Sequence, residues 1–385
     1  MNAPRRLLTI GHSYAVALNR RLPQEIARAS SGGWSVTAAA PARFHGDFGV
    51  LQARPEPDEP CALAPVPAYL TRHIHLMFYG RKLRRLLQQE WDLIHCWEEP
   101  YILSGAQVAY WSPPGVPLIY ATFQNLPKRY PPPFGWFERR SLKRAAGWIG
   151  FGETVVATLE GQPAYAARPH RAIPPGVDTV CFRPDPDARA ETLRKLNWSA
   201  AGPPIVGFLG RFVEAKGLRP LMRRLERVAP EWRALMVGGG PLEPELRVWA
   251  ERQGDRVRVA TKVPHDQAAA YLNAMDLLCA PSLTTTRWRE QFGRMLIEAF
   301  ACGVPVMASD SGEIPHVVAD AGVVVAEGDD SAWVTALDRL LRDPAAREEL
   351  ARRGMARARS VFAWPVIARR HLEFFEEMLA PKGPR

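Results

Sequence analysis

No stretch of this 385-residue chain offers the roughly 18 uninterrupted apolar residues that a membrane-spanning helix needs. The short run Leu7-Leu8-Thr9-Ile10, behind Met1-Asn2-Ala3-Pro4-Arg5-Arg6, is too brief for a signal peptide and reads as a first strand. Cysteine is scarce: the five, at 61, 96, 181, 279 and 302, are odd in number, and no two stand at metal-ligand spacing. Cys96, Cys279 and Cys302 lie in apolar surroundings and read as small core residues. This usage points to a reducing cytoplasm. Zinc-finger, leucine-zipper and aromatic RNA-binding signatures are missing, so nucleic acid is not an expected partner despite a net charge of +10. The excess of cations is left to phosphorylated substrates, an anionic membrane face or plain solvated surface. Neither a P-loop nor a G-x-G-x-x-G fingerprint occurs, and there is no short-period repeat or low-complexity tract.

What is present is the composition of a folded soluble protein, 47% apolar and 23% charged, on a chain long enough for two cores. Short apolar runs alternate with amphipathic helical patterns, which predicts parallel α/β units. The first series of strands is Leu7 to Ile10, Trp34 to Ala39, Asp92 to His95, Leu118 to Ala121, Trp148 to Phe151 and Arg171 to Ile173. Ala15, Leu18, Leu22, Ile26 and Ala29 recur at helical spacing after the first of them. The second series is Ile205 to Leu209, Ala234 to Val237, Val257 to Val259, Leu277 to Cys279, Val304 to Ala308 and Val323 to Val325. Two such series predict two doubly wound, Rossmann-like domains facing across a cleft, over residues 1–172 and 173–361, with a final segment 362–385. The Pro- and Gly-punctuated stretch Ala172 to Asp178 reads as the hinge. Trp364 to Leu379 reads as one amphipathic helix, with Ile367, His371, Phe374, Phe375 and Met378 inward and Pro365 in its first turn.

Open parallel sheets bind ligands beyond the carboxyl ends of their strands, so the loops after each strand carry the chemistry. The most informative segment runs from Glu290 to Glu298, with Gly293 between the carboxylates near a helix start. Backbone N–H groups around Arg294, Met295 and Leu296 would favour an anion there. Glu298 is too negative for a phosphate but suits sugar or ribose hydroxyls. In Gly210-Arg211-Phe212-Val213-Glu214-Ala215-Lys216-Gly217, a guanidinium fork and an ammonium leave one strand end together, as a diphosphate requires. Their bland reading is two surface cations, but cations at a helix N-terminus are unfavourable unless an anion is near. Gly238, Gly239 and Gly240 permit close backbone approach. Backbone groups near Val263 would read a base edge, or else this is an ordinary loop with Asp266 capping the next helix. The small residues around Gly312 would close over a sugar.

Three loops of the first domain are rich in aromatic and hydrogen-bonding groups: Gly11-His12-Ser13-Tyr14, His95 to Tyr101, and Phe123 to Phe134 with Gln124 and Asn125. His12 and His95 read either as structural or as catalytic. Glu98 and Glu99 read either as a hydroxyl-binding pair or as a solvated loop. Asp185-Pro186-Asp187 has a metal-like spacing inside a proline-flanked linker, and no metal is expected. Residues 72–89 form a basic amphipathic pattern that suits an anionic bilayer or a core-packing helix with a solvated face.

These motifs together resemble the retaining glycosyltransferases of family four, with the GT-B fold. The likeness is strongest over residues 171–364, in Ile173-Pro174-Pro175-Gly176-Val177-Asp178, the Gly210 to Gly217 loop, Val237 to Pro241, and the Glu290 to Glu298 motif followed by Ala299 to Val306. The resemblance implies a UDP- or GDP-linked sugar on the second domain. Arg211 and Lys216 would contact its diphosphate, Glu298 its ribose and Glu290 the hydroxyls of the transferred sugar. It also implies that the last helix crosses back to the first domain. The acceptor would be a hydroxyl; the basic charge and the 72–89 stretch favour one that is lipid-linked or near a membrane, the cysteine usage a site in the cytoplasm or at the inner membrane face, and the lack of a ligand cluster a reaction without metal or other cofactor. Departures are Gly11-His12-Ser13 in place of a glycine pair, Gln124 in place of a histidine, Gly312-Glu313 in place of Gly-Gly, and His316 in place of a glutamate. Gln124 can hydrogen-bond a hydroxyl but cannot shuttle a proton near neutrality. Replacing Lys216 by alanine is expected to cut turnover and leave the fold intact. The competing readings are a sugar-nucleotide epimerase or hydrolase on the same frame, and a non-catalytic sugar-nucleotide sensor.

Overall fold

A computed structural model describes residues 3–46 and 49–380. The chain divides into two compact units: residues up to Pro174 together with those from Trp364 onward form one, and Pro175–Ala363 form the other.

The first unit is built on seven parallel strands: β1 (Arg5–Ile10), β2 (Trp34–Pro41), β3 (Ala62–Val66), β4 (Leu93–Cys96), β5 (Leu118–Thr122), β6 (Gly147–Gly150) and β7 (His170–Ala172). Their order across the sheet is β7-β6-β5-β4-β1-β2-β3. Successive side chains point to opposite faces and both faces are covered, so the strands read as continuous apolar runs. Leu8, Ile10, Ile94, Cys96 and Tyr120 pack on one face; Leu7, Leu93, Ile119 and Ile149 pack on the other. The helix Trp364–Leu379 lays Ile367, His371, Phe374 and Phe375 on that second face, as its periodicity predicts.

The second unit carries six parallel strands: β8 (Ile205–Arg211), β9 (Arg233–Gly239), β10 (Val257–Thr261), β11 (Leu277–Ala280), β12 (Val306–Ser309) and β13 (Val323–Val325). Their order is β10-β9-β8-β11-β12-β13. In both sheets the strand order reverses beside the first strand. The crevice at such a switch point, between β1 and β4 or between β8 and β11, is where open α/β sheets hold ligands. Val177 pairs with Ala363, tying the start of the second unit to its end.

β3 escapes periodicity reading because Pro65 interrupts it; as an edge strand it tolerates that proline. The helix expected from Ala15 starts only at Arg21, after two short 3-10 turns, which places Pro23 in its first turn. Leu18 is consequently exposed. Residues 72–89 are not one helix. Phe78–Tyr79 pairs antiparallel with Ala68–Tyr69, and the helix spans only Arg81–Leu87 behind Gly80, burying Leu83 and Leu87. Asp185 is spent as a helix cap, accepting from the Ala188 N–H at 2.9 Å. Asp266 caps nothing: Gln267 precedes the helix Ala268–Asn273 and no side chain caps it. The five cysteines are free, four of them buried. Among the described residues no helix is long and apolar enough to cross a membrane.

Candidate active site

In the second unit the turn after β8 is clasped against the segment after β11. Gly217 sits at φ 71°, and a Cβ there would lie 1.8 Å from the Pro281 carbonyl oxygen, so only glycine allows this approach. The Leu283 N–H donates to the Ala215 carbonyl at 2.8 Å, closing the same contact. Lys216 is thereby held across the switch point, where its Nζ pairs with Glu290 Oε2. Ser282 Oγ donates to the same oxygen at 2.8 Å. The indole of Trp288 lies 5.3 Å from that Nζ. Glu290 is nearly fully buried, and its position is set from behind by the loop after β12. Gly312, at φ 58°, would bring a Cβ to 2.0 Å from the Glu290 carbonyl oxygen, and the Glu313 N–H donates to that oxygen at 3.1 Å. Gly312 therefore acts on the Glu290 backbone.

Gly293, at φ 82°, precedes the helix Arg294–Ala301. The Leu296 N–H already donates to the Gly293 carbonyl at 2.9 Å, and the Leu296 side chain is core. This removes Leu296 from the anticipated anion donors and leaves the first-turn N–H groups of Arg294 and Met295. One turn on, Glu298 is buried, with Oε1 at 3.0 Å from His265 Nε2. His265 comes from the loop after β10, next to half-buried Val263, and its ring meets Phe182 edge-on at 5.6 Å. Arg211 ends β8 with an exposed side chain that forms no ion pair among the described residues. Gly239 stands beside it in register, and a Cβ there would meet nothing within 4 Å, so this strand end is open. Lys216 and Glu290 are thus joined directly, Glu298 is paired with His265, and Arg211 touches neither carboxylate. Trp288, Ser311 and His265 enter through partners distant in the chain, and Ser282 through Glu290 eight residues on, with no motif to mark it.

The first unit has its own switch-point pair. Glu98, after β4, is fully buried; His12 Nδ1 lies 2.7 Å from its Oε2, and the Tyr79 hydroxyl donates to its Oε1 at 2.6 Å. Burial pulls the His12 pKa down, but the charge and hydrogen bond of Glu98 outweigh this and leave it raised. Burial pushes Glu98 up, and His12 with Tyr79 more than reverses that, so it stays low. Gly11 lets the turn approach Trp97, whose Cβ would lie 3.0 Å from an added Cβ.

Glu99 accepts from Thr122 Oγ1 at 2.8 Å and from the Phe123 N–H at 2.7 Å. Neither glutamate lies in a solvated loop. Gln124 is buried, its Nε2 donating to the Tyr165 hydroxyl at 2.9 Å and its Oε1 accepting from Tyr130 at 3.1 Å. Asn125 is buried beside it. His95 does not belong to a site. It is wholly buried among Trp97, His371 and Phe375, with Nδ1 at 3.2 Å from Thr9 Oγ1, and burial holds its pKa well below the usual value. Its place in β4 turns it toward the helix Trp364–Leu379, a matter of strand parity.

Burial raises the Glu99 pKa from 4.5 to about 7, against the hydrogen bonds that lower it. Between these values the folded chain holds more protons than the unfolded one, so stability falls as pH rises. Glu99→Gln should flatten the fall from about pH 4.5 to about pH 7 by on the order of 3 kcal/mol, read from denaturant unfolding across that range. An unchanged slope would refute the burial of this carboxylate.

A cavity of about 520 Å³ lies in the same unit, with Arg72, His73, His75, Tyr130 and Phe134 in its wall. The Leu103 N–H holds the His75 carbonyl at 3.1 Å, and Tyr101 stacks on Tyr130 at 3.9 Å. Residues 72–76 can line it because the helix begins only at Arg81.

A family model described as "Glycosyl transferases group 1" matches residues 203–343. The chain is 36% identical over 217 residues to the D-inositol 3-phosphate glycosyltransferase of Segniliparus rotundus, covering 53% of this chain and 46% of that one. It is 30% identical over 259 residues to a lipopolysaccharide core biosynthesis mannosyltransferase of Rhizobium meliloti, covering 63% of this chain and 72% of that one. The chain thus spans about half the length of the first relative and nearly three quarters of the second. Among solved structures, the sucrose-phosphate synthase of Thermosynechococcus elongatus superposes with a TM-score of 0.74 over 98% of this chain and 99% of that one, at 24% identity. At that identity the likeness speaks for the fold alone.

Proposed function

Because this chain belongs to the family-four glycosyltransferases of GT-B fold, we propose that it moves a glycosyl unit from a nucleoside-diphosphate sugar to an acceptor hydroxyl with retained configuration. The observation that carries this reading is the Lys216–Glu290 pair at the β8/β11 switch point, with Ser282 beneath it and a helix start beside it. A buried ion pair adds little to stability by itself, so its place at the switch point supports a ligand-binding role for both groups.

In this reading the diphosphate takes Arg211, Lys216 and the N–H groups of Arg294 and Met295. Glu298 receives the ribose and Glu290 the hydroxyls of the sugar. The bond from the anomeric carbon to the phosphate oxygen breaks, and negative charge grows on that oxygen against Lys216. The acceptor oxygen bonds to the anomeric carbon and passes its proton to the departing phosphate, so no side-chain base is needed. Phosphate neutralisation by the two cations makes the proposed reaction metal-independent.

The acceptor is proposed to carry a phosphate, free or in a lipid headgroup. Arg72, His73 and His75 around an aromatic cavity support this, and so does the inositol phosphate named for the first relative. Exposed Tyr69, Leu70 and Leu76, adjoining the basic helix Arg81–Leu87, support peripheral contact with an anionic membrane at the cytoplasmic face.

The test is a thermal-shift screen with UDP-, GDP- and ADP-linked hexoses, since a donor that binds raises apparent stability by mass action. The sugar that shifts melting is then offered with phosphorylated polyols and phosphatidylinositol vesicles. Release of nucleoside diphosphate that rises with acceptor supports transfer. Release indifferent to every acceptor would favour a hydrolase, and binding without release a sensor.

A further inference from the structure

We propose that Trp288 forms a wall of the subsite for the transferred sugar and selects a pyranose ring by its apolar C–H face, an inference that rests on the donor reading of Lys216 and Glu290. The other four tryptophans of this unit, Trp198, Trp232, Trp249 and Trp333, are buried in its core. Trp288 is only half-buried and belongs to no core layer. It is nevertheless held in place. The Thr285 N–H donates to the Trp288 carbonyl at 2.7 Å, and the Trp288 N–H donates to Thr285 Oγ1 at 3.0 Å. Thr284 anchors the turn, its N–H on the Glu327 carboxylate and its Oγ1 at 2.9 Å from Ser311 Oγ. Ser311 Oγ in turn accepts the Glu290 N–H at 3.3 Å, so the turn and the carboxylate share one support.

The indole therefore stands two residues before Glu290 and 5.3 Å from Lys216 Nζ. The ammonium lies between an aromatic face and a carboxylate, and both attract it. A diphosphate would draw the ammonium toward its own charge. The indole face is then the apolar surface next to the group that holds the sugar hydroxyls. Ligand sites commonly have this form, an aromatic wall with a few placed polar groups that fix orientation. The turn fixes the backbone of Trp288, so its half-buried indole is presented beside Lys216 from a defined position.

The experiment measures binding of UDP-glucose and GDP-mannose, and of UDP and GDP, to the full chain and its W288A and W288F variants. W288A should weaken the bound sugar nucleotide about tenfold and leave the matching nucleoside diphosphate within about twofold. W288F should recover most of the loss, and melting of both variants should match the parent. Equal losses for sugar nucleotide and nucleoside diphosphate, or no loss for either, would overturn the assignment of Trp288 and leave the donor reading standing. A parent chain that binds none of the four probes would remove the donor reading, and this inference with it.

Discussion

Lys216→Ala is expected to lower turnover of the nucleotide sugar by about 10²–10³-fold, the cost of removing one preorganised group from a developing negative charge. The structure adds a second consequence that the motif alone did not carry. Lys216 is the cation beside a Glu290 side chain only 7% exposed, and stripping one partner from a buried pair costs about 3–5 kcal/mol. The single variant should therefore melt at a lower temperature, and the expectation of an undisturbed fold must be amended. The double variant K216A/E290Q separates the two effects. With no charge left to bury, its melting should return toward the parent, whereas its turnover should stay low. Nucleoside diphosphate release and thermal unfolding, measured on the same three proteins, decide the matter. If the double variant regained turnover, Lys216 would be a structural partner of Glu290, with no part in the chemistry.

Glu98→Ala should destabilise the chain by about 3–5 kcal/mol, because it leaves His12 and the buried Tyr79 hydroxyl facing an empty place. The effect carries a pH signature with two sides. The raised pKa of His12 makes its share fully present below 6.5 and lost as pH climbs through the raised value. The lowered pKa of Glu98 makes its share present above 4.5 and lost as pH drops through the lowered value. The gap between parent and variant should thus be widest near pH 5.5 and narrower near pH 8.5, both approximate settings for denaturant titrations. Glu98→Gln, which keeps the shape but not the charge, should show a smaller loss with little pH dependence. A parent–variant gap that is the same at both pH values would refute the ion pair.

Much of this was legible along the chain. The strands of both sheets announce themselves as short apolar runs, since parallel sheets covered on both faces leave no room for polar alternation. The Glu290 to Glu298 segment is local, so its glycine, helix start and carboxylates can be read in one stretch. The helix Trp364–Leu379 shows its inward face by period alone. Local rules failed where proline or glycine changed the element: Pro65 hid an edge strand, Pro23 delayed a helix, and Gly80 ended a two-stranded ribbon that had looked helical.

The amino-acid order by itself thus determined the two α/β series, the family likeness and the residue types offered at each strand end. Only the tertiary structure decided who meets whom: Lys216 with Glu290, His12 with Glu98, His265 with Glu298, and His95 turned into the core. For Lys216 with Glu290 and His12 with Glu98 the reason is topological. In a sheet wound outward from its first strand, the two loops flanking the switch point are neighbours in space but lie on strands far apart in the chain, and no periodicity records that proximity.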